Sequence, residues 1–340
     1  MDKNVRELVE KLQETAIKDI NIVIMPHFCI DNFVYYGKSI DSFIDKFVDI
    51  AKQGGGNLPI SQDIKIGGKA ANCCCALASL GIKSYLIAKT NELGYKLLEY
   101  LTNSMEVNLS YVSRNGDLAQ TTAIELKGAN VMLSDPGSLS SFGPDFLTDA
   151  EKELISKADL VCISDWGLNE KGTELAKYVF SLVKENKKGK TFFDPGDPSP
   201  KENKLNLEIG RMLRDVLEKG LVDILSVNEH EVKMCGGINY LKRYTRVDLH
   251  SNDYSISYDQ IKETKRISTF NVETKRFTGA GDVWNAGDIF GEVMGLPPNK
   301  RLLLANSAAA FYVSDPHGRY PTRKLLIDFL EKSPLPVVFK

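Results

Sequence analysis

The stretch Thr278-Gly279-Ala280-Gly281-Asp282 joins a turn of small residues to a carboxylate, and apolar residues at helical spacing follow it. Glycines let a backbone approach an anion closely, and the unpaired N–H groups at a helix start point at that anion. Asp282 falls in the first helical turn, where it could take the proton from an attacking hydroxyl. The stretch therefore indicates phosphate transfer. Alone, the stretch is equally compatible with a plain glycine turn followed by an acidic residue that the helix dipole stabilises.

The composition is that of an ordinary globular protein. A chain of 340 residues exceeds the usual size of one domain, but a large α/β domain with a small appendage reaches this length. With 43 basic and 45 acidic residues the formal net charge is -2, so no basic field exists to attract nucleic acid or a membrane surface. We expect small molecules as partners.

The cysteines and the N-terminal segment predict a cytoplasmic location. The six cysteines, three of them adjacent at 73–75, show neither a disulfide framework nor zinc spacing. The N-terminal segment is charged, with apolar residues at helical spacing over 5–16, and it lacks the apolar core of a signal peptide. No later run approaches a membrane span.

Strand and helix patterns alternate along most of the chain. Apolar runs predict strands over 20–25, 84–88, 158–164, 191–193 and 222–227, with helices over 69–80, 94–105, 170–185 and 207–217 between them. Such alternation predicts a parallel sheet that is covered by helices on both faces. Residues 32–66 are less regular, with a helix predicted over 40–52, and indicate an appendage or lid.

Polar residues follow several of these strands. Asp31, Asp165, Asp194 and the segment from Asn228 to Glu231 each come at or just after a strand's carboxyl end. Ligands of open α/β sheets bind at that edge. We therefore expect these side chains to share one site.

The segment Gly67-Gly68-Lys69-Ala70-Ala71-Asn72 opens a helix of small residues. The glycines permit a tight turn, Lys69 offers a cation, and Asn72 presents a donor and an acceptor from the first turn. This combination suits a polyhydroxylated substrate. A plain loop and helix start explains the glycines but gives Lys69 and Asn72 no role.

Asn228 and Glu231 stand at positions one and four of a segment that follows an apolar strand. An amide and a carboxylate so placed offer oxygen ligands for Mg²⁺, which binds few protein groups together with phosphates and water. Helix capping by the same two residues is an adequate alternative. Other phosphate motifs fail, because a Walker A loop ending at Gly37-Lys38-Ser39 lacks its first glycine at Asn32, and a dinucleotide fingerprint lacks its third at Trp284.

Taken together, these motifs resemble the ribokinase/PfkB carbohydrate kinase family over nearly the whole chain. The two family signatures are the segment from Gly67 to Asn72, continued by Ala-Leu-Ala-Ser-Leu-Gly, and the segment from Thr278 to Asp282. The resemblance implies an α/β ribokinase-like three-layer sandwich with a central, mostly parallel sheet and a small lid. It implies a catalytic domain over 1–31 and 67–340, with the lid over 32–66.

The resemblance also implies roles for individual residues. Asp282 looks like the catalytic base, with Gly279, Ala280 and Gly281 as an anion hole. The residues that look like acceptor ligands are Asp31, Gly67, Gly68, Lys69, Asn72 and, for an anionic group, Arg276. The residues that look like ligands of ATP and Mg²⁺ are Asn228, Glu231, Thr278, Asn306 and Gly318.

One departure concerns Arg276. Many family members carry Asp at this position, two residues before the threonine of the second signature, where it helps to form a monovalent-cation site. Arginine there argues against activation by potassium.

The resulting prediction is a kinase that transfers the γ-phosphate of ATP to a hydroxyl of a ribose- or hexose-like acceptor. The acceptor stays open between a free sugar, a sugar phosphate and a nucleoside. A non-catalytic sensor that binds a sugar or nucleotide is the alternative of another class. The lid of such proteins often mediates a homodimer.

Overall fold

The computed structural model describes residues 3–14, 20–127 and 129–332. Residues 15 and 16 of the predicted N-terminal helix, and the ends 1–2 and 333–340 of the predicted catalytic domain, lie outside the described residues. The helices are α1 (Lys3–Glu14), α2 (Ile40–Lys52), α3 (Lys69–Ser79), α4 (Glu92–Thr102), α5 (Asp149–Lys157), α6 (Gly172–Asn186), α7 (Leu205–Met212), α8 (Glu229–Met234), α9 (Ile238–Leu241), α10 (Ala280–Val293), α11 (Pro298–Ser314) and α12 (Arg323–Lys332).

The strands alternate with these helices over much of the chain. They are β1 (Ile22–Met25), β2 (Cys29–Tyr35), β3 (Ser61–Gly67), β4 (Ser84–Leu86), β5 (Ala88–Lys89), β6 (Val107–Asn108), β7 (Val112–Ser113), β8 (Ala119–Leu126), β9 (Ala129–Asp135), β10 (Leu160–Ser164), β11 (Lys190–Asp194), β12 (Ile224–Asn228), β13 (Arg246–His250), β14 (Tyr254–Tyr258) and β15 (Ile267–Ser268).

A nine-stranded sheet forms the centre of the molecule, in the order β15-β14-β13-β12-β11-β10-β1-β4-β6. Its strands pair in parallel from β13 to β6, and only β14 and β15 pair antiparallel. Alternate side chains of each strand point to opposite faces. In β1, Ile22 and Ile24 enter one hydrophobic core with α1, α3, α10, α11 and α12, whereas Val23 and Met25 enter the other with α5 and α6. The predicted three-layer α/β fold is confirmed.

A smaller sheet of four strands has the order β3-β2-β8-β9. The sequence predicts an appendage over residues 32–66 only, but β2 also pairs in parallel with β8, from Cys29 and Ala119 to Tyr35 and Glu125. The small sheet therefore also contains residues 119–126 and 129–135. The predicted helix over 40–52 is confirmed as α2, which joins β2 to β3 and has no buried residue.

A buried ionic cluster fixes α10 and α11 to β13. Arg301 of α11 is 1% exposed and contacts Asp248 of β13, with 2.8 Å between Nη1 and Oδ2, and Asp288 of α10. The carboxylates raise the pKa of Arg301 above its usual range although burial opposes its charge. Burial raises the pKa of Asp288 to about 7, against the effect of Arg301. Removing one member of such a buried cluster leaves the charges of the others uncompensated.

Replacing Arg301 should therefore destabilise the fold strongly. Arg301→Leu leaves Asp288 buried without its cation and leaves Asp248 with Arg246 alone, at 3.0 Å, and breaking such a buried cluster typically costs about 3–5 kcal/mol. The matched control is Arg211→Leu, because Arg211 pairs with Glu174 at 2.7 Å and both side chains are 39% exposed. Arg211→Leu should lower the free energy of unfolding by less than about 1 kcal/mol. Urea unfolding measures both variants, and equal losses would contradict the role of the cluster.

Candidate active site

The carboxyl ends of adjacent parallel strands bring the predicted polar residues together. Ser164 at the end of β10 pairs with Asp194 at the end of β11, and Asp165 follows directly. Asn228 ends β12 beside His250 at the end of β13. This edge of the sheet faces the first turns of α3 and α10. Asp165, Asp194 and Asn228 therefore lie at one edge of the central sheet, whereas Asp31 lies inside β2 of the small sheet and not at a strand's carboxyl end.

The start of α10 has the geometry expected of an anion-binding turn. Gly279 precedes the helix in the left-handed region, with φ 87°, which favours glycine. A Cβ on Gly279 would also lie 2.7 Å from the Tyr312 hydroxyl. The N–H of Ala280 donates to the Phe277 carbonyl at 3.3 Å, so it is partly engaged in the turn. The first helical bond runs from Val283 to Gly279 at 3.1 Å.

Asp282 is the third residue of α10 and is only 6% exposed. Its Oδ2 accepts a hydrogen bond of 2.8 Å from Nδ2 of Asn72, and its Oδ1 lies 3.8 Å from Nζ of Lys69. Burial raises the pKa of Asp282 to about 6, while Lys69 and Asn72 oppose the rise. A carboxylate in this state is ionised at neutral pH and still basic enough to accept a proton.

Lys69 connects Asp282 to the end of β11. Its Nζ donates to Oδ2 of Asp194 at 3.2 Å. Burial disfavours the ammonium, but the nearby carboxylates of Asp194 and Asp282 outweigh it and raise the pKa of Lys69 well above its usual range. Asp194 is itself held by Asn285 of α10 at 2.7 Å, whose amide oxygen accepts from Ser226 of β12 at 2.6 Å. Lys69 is therefore a fixed positive charge beside Asp282.

His27 and Asp165 form a second polar pair at this edge. Nδ1 of His27 contacts Oδ2 of Asp165, and both residues are buried. Asp165 has φ 62° and ψ 42°, a left-handed conformation that is uncommon outside glycine and that gathers at functional sites. His27 also accepts a long hydrogen bond of 3.4 Å from the N–H of Lys69.

Two glycines bring Asp31 close to the start of α3. Gly67 pairs with Cys29 across β2 and β3, and a Cβ on it would overlap the carboxylate of Asp31. Gly68 has φ 86°, and a Cβ there would lie 2.7 Å from the Phe28 backbone. Asp31 accepts from the Cys29 thiol at 3.0 Å, and burial raises the pKa of its carboxyl group. The first signature thus needs glycine at both positions.

A cavity of about 620 Å³ opens at the start of α10, where Ala280 and Gly281 line it. Lys69, Asp194, Asn228 and Glu231 line one end of it, and Asn306 belongs to the wall. The remaining lining residues come from the loops after β13 and β15 and from α10 and α11: His250, Ser251, Asn252, Thr269, Phe270, Asn271, Val272, Thr274, Phe277, Ala280, Gly281, Trp284, Ala309, Ala310 and Val313.

Asn228 and Glu231 form the capping box that the sequence offers as the alternative to metal binding. Oδ1 of Asn228 accepts from the N–H of Glu231 at 2.9 Å, and Oε2 of Glu231 accepts from the N–H of Asn228 at 2.9 Å. Burial, together with Asp194, raises the pKa of Glu231 to about 7. The described residues contain no group of three or more His, Cys, Asp or Glu arranged for a metal. The oxygen donors of this pair still fit a water-shelled Mg²⁺ that is held mainly by phosphates.

Two residues predicted to bind the nucleotide, Thr278 and Gly318, lie outside that cavity, as does Arg276, which is predicted to bind the acceptor. Arg276 and Gly318 line a separate cavity of about 440 Å³, and a Cβ on Gly318 would overlap the guanidinium of Arg276. Thr278 accepts from Nδ2 of Asn130 in β9 at 3.4 Å. Gly318 and Thr278 therefore do not line the larger cavity, and the segment that holds Gly318 lies beside β3, where Lys65 donates to the His317 carbonyl at 3.3 Å.

Several residues of the site have no sequence motif. His250 stacks on Trp284 with 4.7 Å between ring centroids, and burial lowers its pKa to about 4, so it stays neutral. Tyr320 donates from its hydroxyl to Oδ1 of Asn72 at 2.8 Å. The sequence predicts no special role for His27 or His250. The one signal that could have identified them is that each stands at or just after the end of a strand.

The comparisons with known proteins agree with this fold. The family model described as pfkB family carbohydrate kinase matches residues 34–248 of this chain. The chain is 23% identical over 270 residues to the 5-dehydro-2-deoxygluconokinase of Geobacillus thermodenitrificans (strain NG80-2), covering 73% of this chain and 78% of that protein. Within the described residues no helix has both the length and the apolar character to cross a membrane.

Two solved structures are similar over nearly their whole length. The Arabidopsis thaliana ribokinase complexed with ribose and ATP has a TM-score of 0.69 at 20% identity, covering 93% of this chain and 99% of that one. The Methanocaldococcus jannaschii nucleoside kinase has a TM-score of 0.70 at 19% identity, covering 94% and 100%. The family match also favours a kinase over a non-catalytic sensor. The chain belongs to the pfkB family of carbohydrate kinases and is a kinase with the ribokinase-like fold.

Proposed function

We propose that the enzyme transfers the γ-phosphate of ATP to a hydroxyl of a sugar-like acceptor, with Asp282 as general base. The observation that carries this proposal is the position of the Asp282 carboxylate. It lies buried in the first turn of α10, between Asn72 and Lys69, and its neighbours Lys69 and Gly281 line the cavity of about 620 Å³.

The residues act in one step. The acceptor hydroxyl gives its proton to Asp282 as its oxygen forms a bond to the γ-phosphorus, and the bond to the β-phosphate oxygen breaks to release ADP. The turn from Gly279 to Gly281 and the ammonium of Lys69 stabilise the charge on the transferring group. Asp31, Gly67, Gly68 and Asn72 orient the acceptor.

The larger cavity would hold the nucleotide, with Asn306 in its wall. Asn306 is held in place because it accepts from the Trp284 indole at 2.8 Å and donates to the Ile267 carbonyl at 3.0 Å. Asn228 and Glu231 would hold Mg²⁺ through water, and the ion would supply charge neutralisation of the phosphates. The small sheet would act as the lid that excludes water from the transfer site.

Asp282→Asn should lower turnover by about 10² to 10⁴ while acceptor and nucleotide still bind. For the unaltered enzyme, kcat/KM should rise with pH through about 6 and then level off, because the base must be ionised. A coupled transfer assay over sugars, sugar acids, sugar phosphates and nucleosides, with ATP or ADP and with or without Mg²⁺, measures both effects.

The matched control is Asp149→Asn, since the side chain of Asp149 is fully exposed at the start of α5. This variant should keep normal turnover. Near-normal turnover of Asp282→Asn with any acceptor that the enzyme phosphorylates would overturn the assignment of the base. Transfer to none of the acceptors, with ligand-induced stabilisation only, would overturn the proposed reaction.

The smaller cavity favours an acceptor that carries an acidic group. It contains Arg276 and Lys65 beside Tyr312 and Tyr320, and it reaches the acceptor site through Tyr320. Among the described residues the buried Nε of Arg276 has no hydrogen-bond partner, and Nη2 donates a long hydrogen bond of 3.5 Å to the Pro316 carbonyl. Asp63 pairs with Lys65 at 3.1 Å, which leaves Arg276 as the stronger anion ligand. The gluconate-type name of the Geobacillus relative is in keeping with a sugar acid.

Arg276→Gln should raise KM for a phosphorylated or carboxylated acceptor by about tenfold, because a charge-assisted hydrogen bond is lost, and leave KM for ATP unchanged. Arg266→Gln is the matched control, since Arg266 also lies over a tyrosine ring, 4.3 Å from Tyr254, but away from this cavity. Steady-state kinetics with paired acidic and neutral acceptors measures the effect. An equal change for both acceptors would contradict an anion subsite.

The lid would also mediate a homodimer, through the helix α2 that joins β2 to β3 of the small sheet. One face of α2 is apolar and exposed, with Phe47 62% exposed and Ile40, Ile44 and Val48 beside it at helical spacing. Such a face suits a second copy of the chain.

Phe47→Glu should therefore convert a dimer into a monomer, because a charge would enter the apolar contact. Leu207→Glu, on an equally exposed leucine of α7, should leave the mass unchanged. Light scattering across a concentration series measures the mass. A wild-type monomer at tens of micromolar would contradict the dimer.

A further inference from the structure

Two hydrogen bonds in series connect Tyr320 to the proposed base. The Tyr320 hydroxyl donates to Oδ1 of Asn72 at 2.8 Å, and Nδ2 of Asn72 donates to Oδ2 of Asp282 at 2.8 Å. Asn72 is 5% exposed, so water does not readily replace either bond. The three side chains come from α3, α10 and the segment that follows α11.

The chemistry of the three groups fixes the direction of this series. An ionised carboxylate only accepts hydrogen bonds, so the amide nitrogen of Asn72 must face Asp282. The amide oxygen then faces the other way and needs a donor, which the hydroxyl of Tyr320 supplies. With the amide reversed, its oxygen would face Asp282 and favour the protonated carboxyl group.

Tyr320 is suited to this task because it is neutral and held in place. Burial raises the pKa of its hydroxyl well above the usual range, so the hydroxyl keeps its proton. The ring stacks on Tyr312 with 5.5 Å between centroids and 12° between planes. The backbone carbonyl of Tyr320 accepts a hydrogen bond of 3.1 Å from the hydroxyl of Ser79, the last residue of α3, whose first turn contains Asn72.

We propose that Tyr320 is a positioning residue that sets the orientation of the Asn72 amide and thereby keeps Asp282 an ionised base. The inference rests on the proposed role of Asp282 and adds a residue to it. Tyr320 touches neither the transferring phosphate nor the acceptor oxygen in this role, and it acts through Asn72 alone.

Other groups around Asp282 set its proton affinity and stay in place when Tyr320 is changed. Lys69 lowers the pKa of Asp282, whereas burial, Asp194 and Asp165 raise it. The remaining titratable groups that interact with Asp282 or face the same turn are Cys73, Cys162, Tyr312 and His250. A shift seen in a Tyr320 variant therefore reports the Asn72 contact.

Tyr320→Phe removes only the donor to Asn72. The acid limb of kcat/KM should move to higher pH by about one unit, so that activity at pH 6 falls by up to about tenfold more than activity at pH 9. The matched control is Tyr85→Phe, because Tyr85 also donates to an asparagine oxygen, that of Asn21 at 3.3 Å, at the opposite edge of the sheet. Its profile should not move. A loss of rate that is the same at every pH would overturn the proposal.

A second measurement follows Asp282 without any activity. Because its pKa is raised in the folded protein, ionisation of Asp282 reduces stability as pH rises from its ordinary pKa to about 6, and Asp282→Asn lacks that loss. The gain in melting temperature of Asp282→Asn should therefore grow through this window and level off above it.

When both proteins, the unaltered enzyme and Asp282→Asn, also carry Tyr320→Phe, the difference in their melting temperatures should level off about one pH unit higher. An unchanged plateau would overturn the role of Tyr320. Full turnover by Asp282→Asn would instead overturn the proposed base, and the melting series would still test the contact between Tyr320, Asn72 and Asp282.

Discussion

The hydrogen bond between Asn72 and Asp282 joins the first turns of two helices whose residues are 210 positions apart. Both helices begin after a glycine in a conformation that other residues rarely adopt, Gly68 before α3 and Gly279 before α10. Small side chains allow the close approach around α10, where a Cβ on Gly287 would lie 2.7 Å from Cα of Ala305. Asp282, its hydrogen-bond donor Asn72 and the glycine turn before α10 keep their geometry only while α3 and α10 stay in contact.

The charges of the site follow from the same contact. Lys69 leaves the start of α3 and lies between the carboxylates of Asp194 and Asp282, with Asp165 and Glu231 also close enough to raise its pKa. One ammonium cannot neutralise all these acids. Burial is the main reason why the pKa of Asp282 and that of Glu231 are both raised, and the excess of negative charge adds to it. A carboxylate with this surplus is a better proton acceptor than an exposed one.

Much of this arrangement could be predicted from the sequence because it depends on local pattern. The alternation of strands and helices predicts the parallel sheet, and the glycine signatures predict the starts of α3 and α10. The pairing of β2 with β8 could not be predicted, since residues 29–35 and 119–125 carry no complementary pattern that sets their register. The family resemblance assigns Gly318 to the nucleotide, whereas in the structure Gly318 lies against the guanidinium of Arg276, a contact that no local pattern predicts. Tyr320 gave no signal, because its partner Asn72 is 248 residues away.

The two tyrosines after α10 connect acceptor recognition to the chemistry. Tyr312 and Tyr320 stack on each other and form a wall of the cavity that contains Arg276. The hydroxyl of Tyr312 lies against Gly279, and that of Tyr320 orients Asn72. A stacked pair cannot shift one ring without affecting the other, because its contacts are at van der Waals distance. A change that reshapes this wall for a different acceptor therefore also alters the anion-binding turn or the proton affinity of Asp282. Under the proposed function, acceptor selection and base strength are therefore coupled through these two side chains.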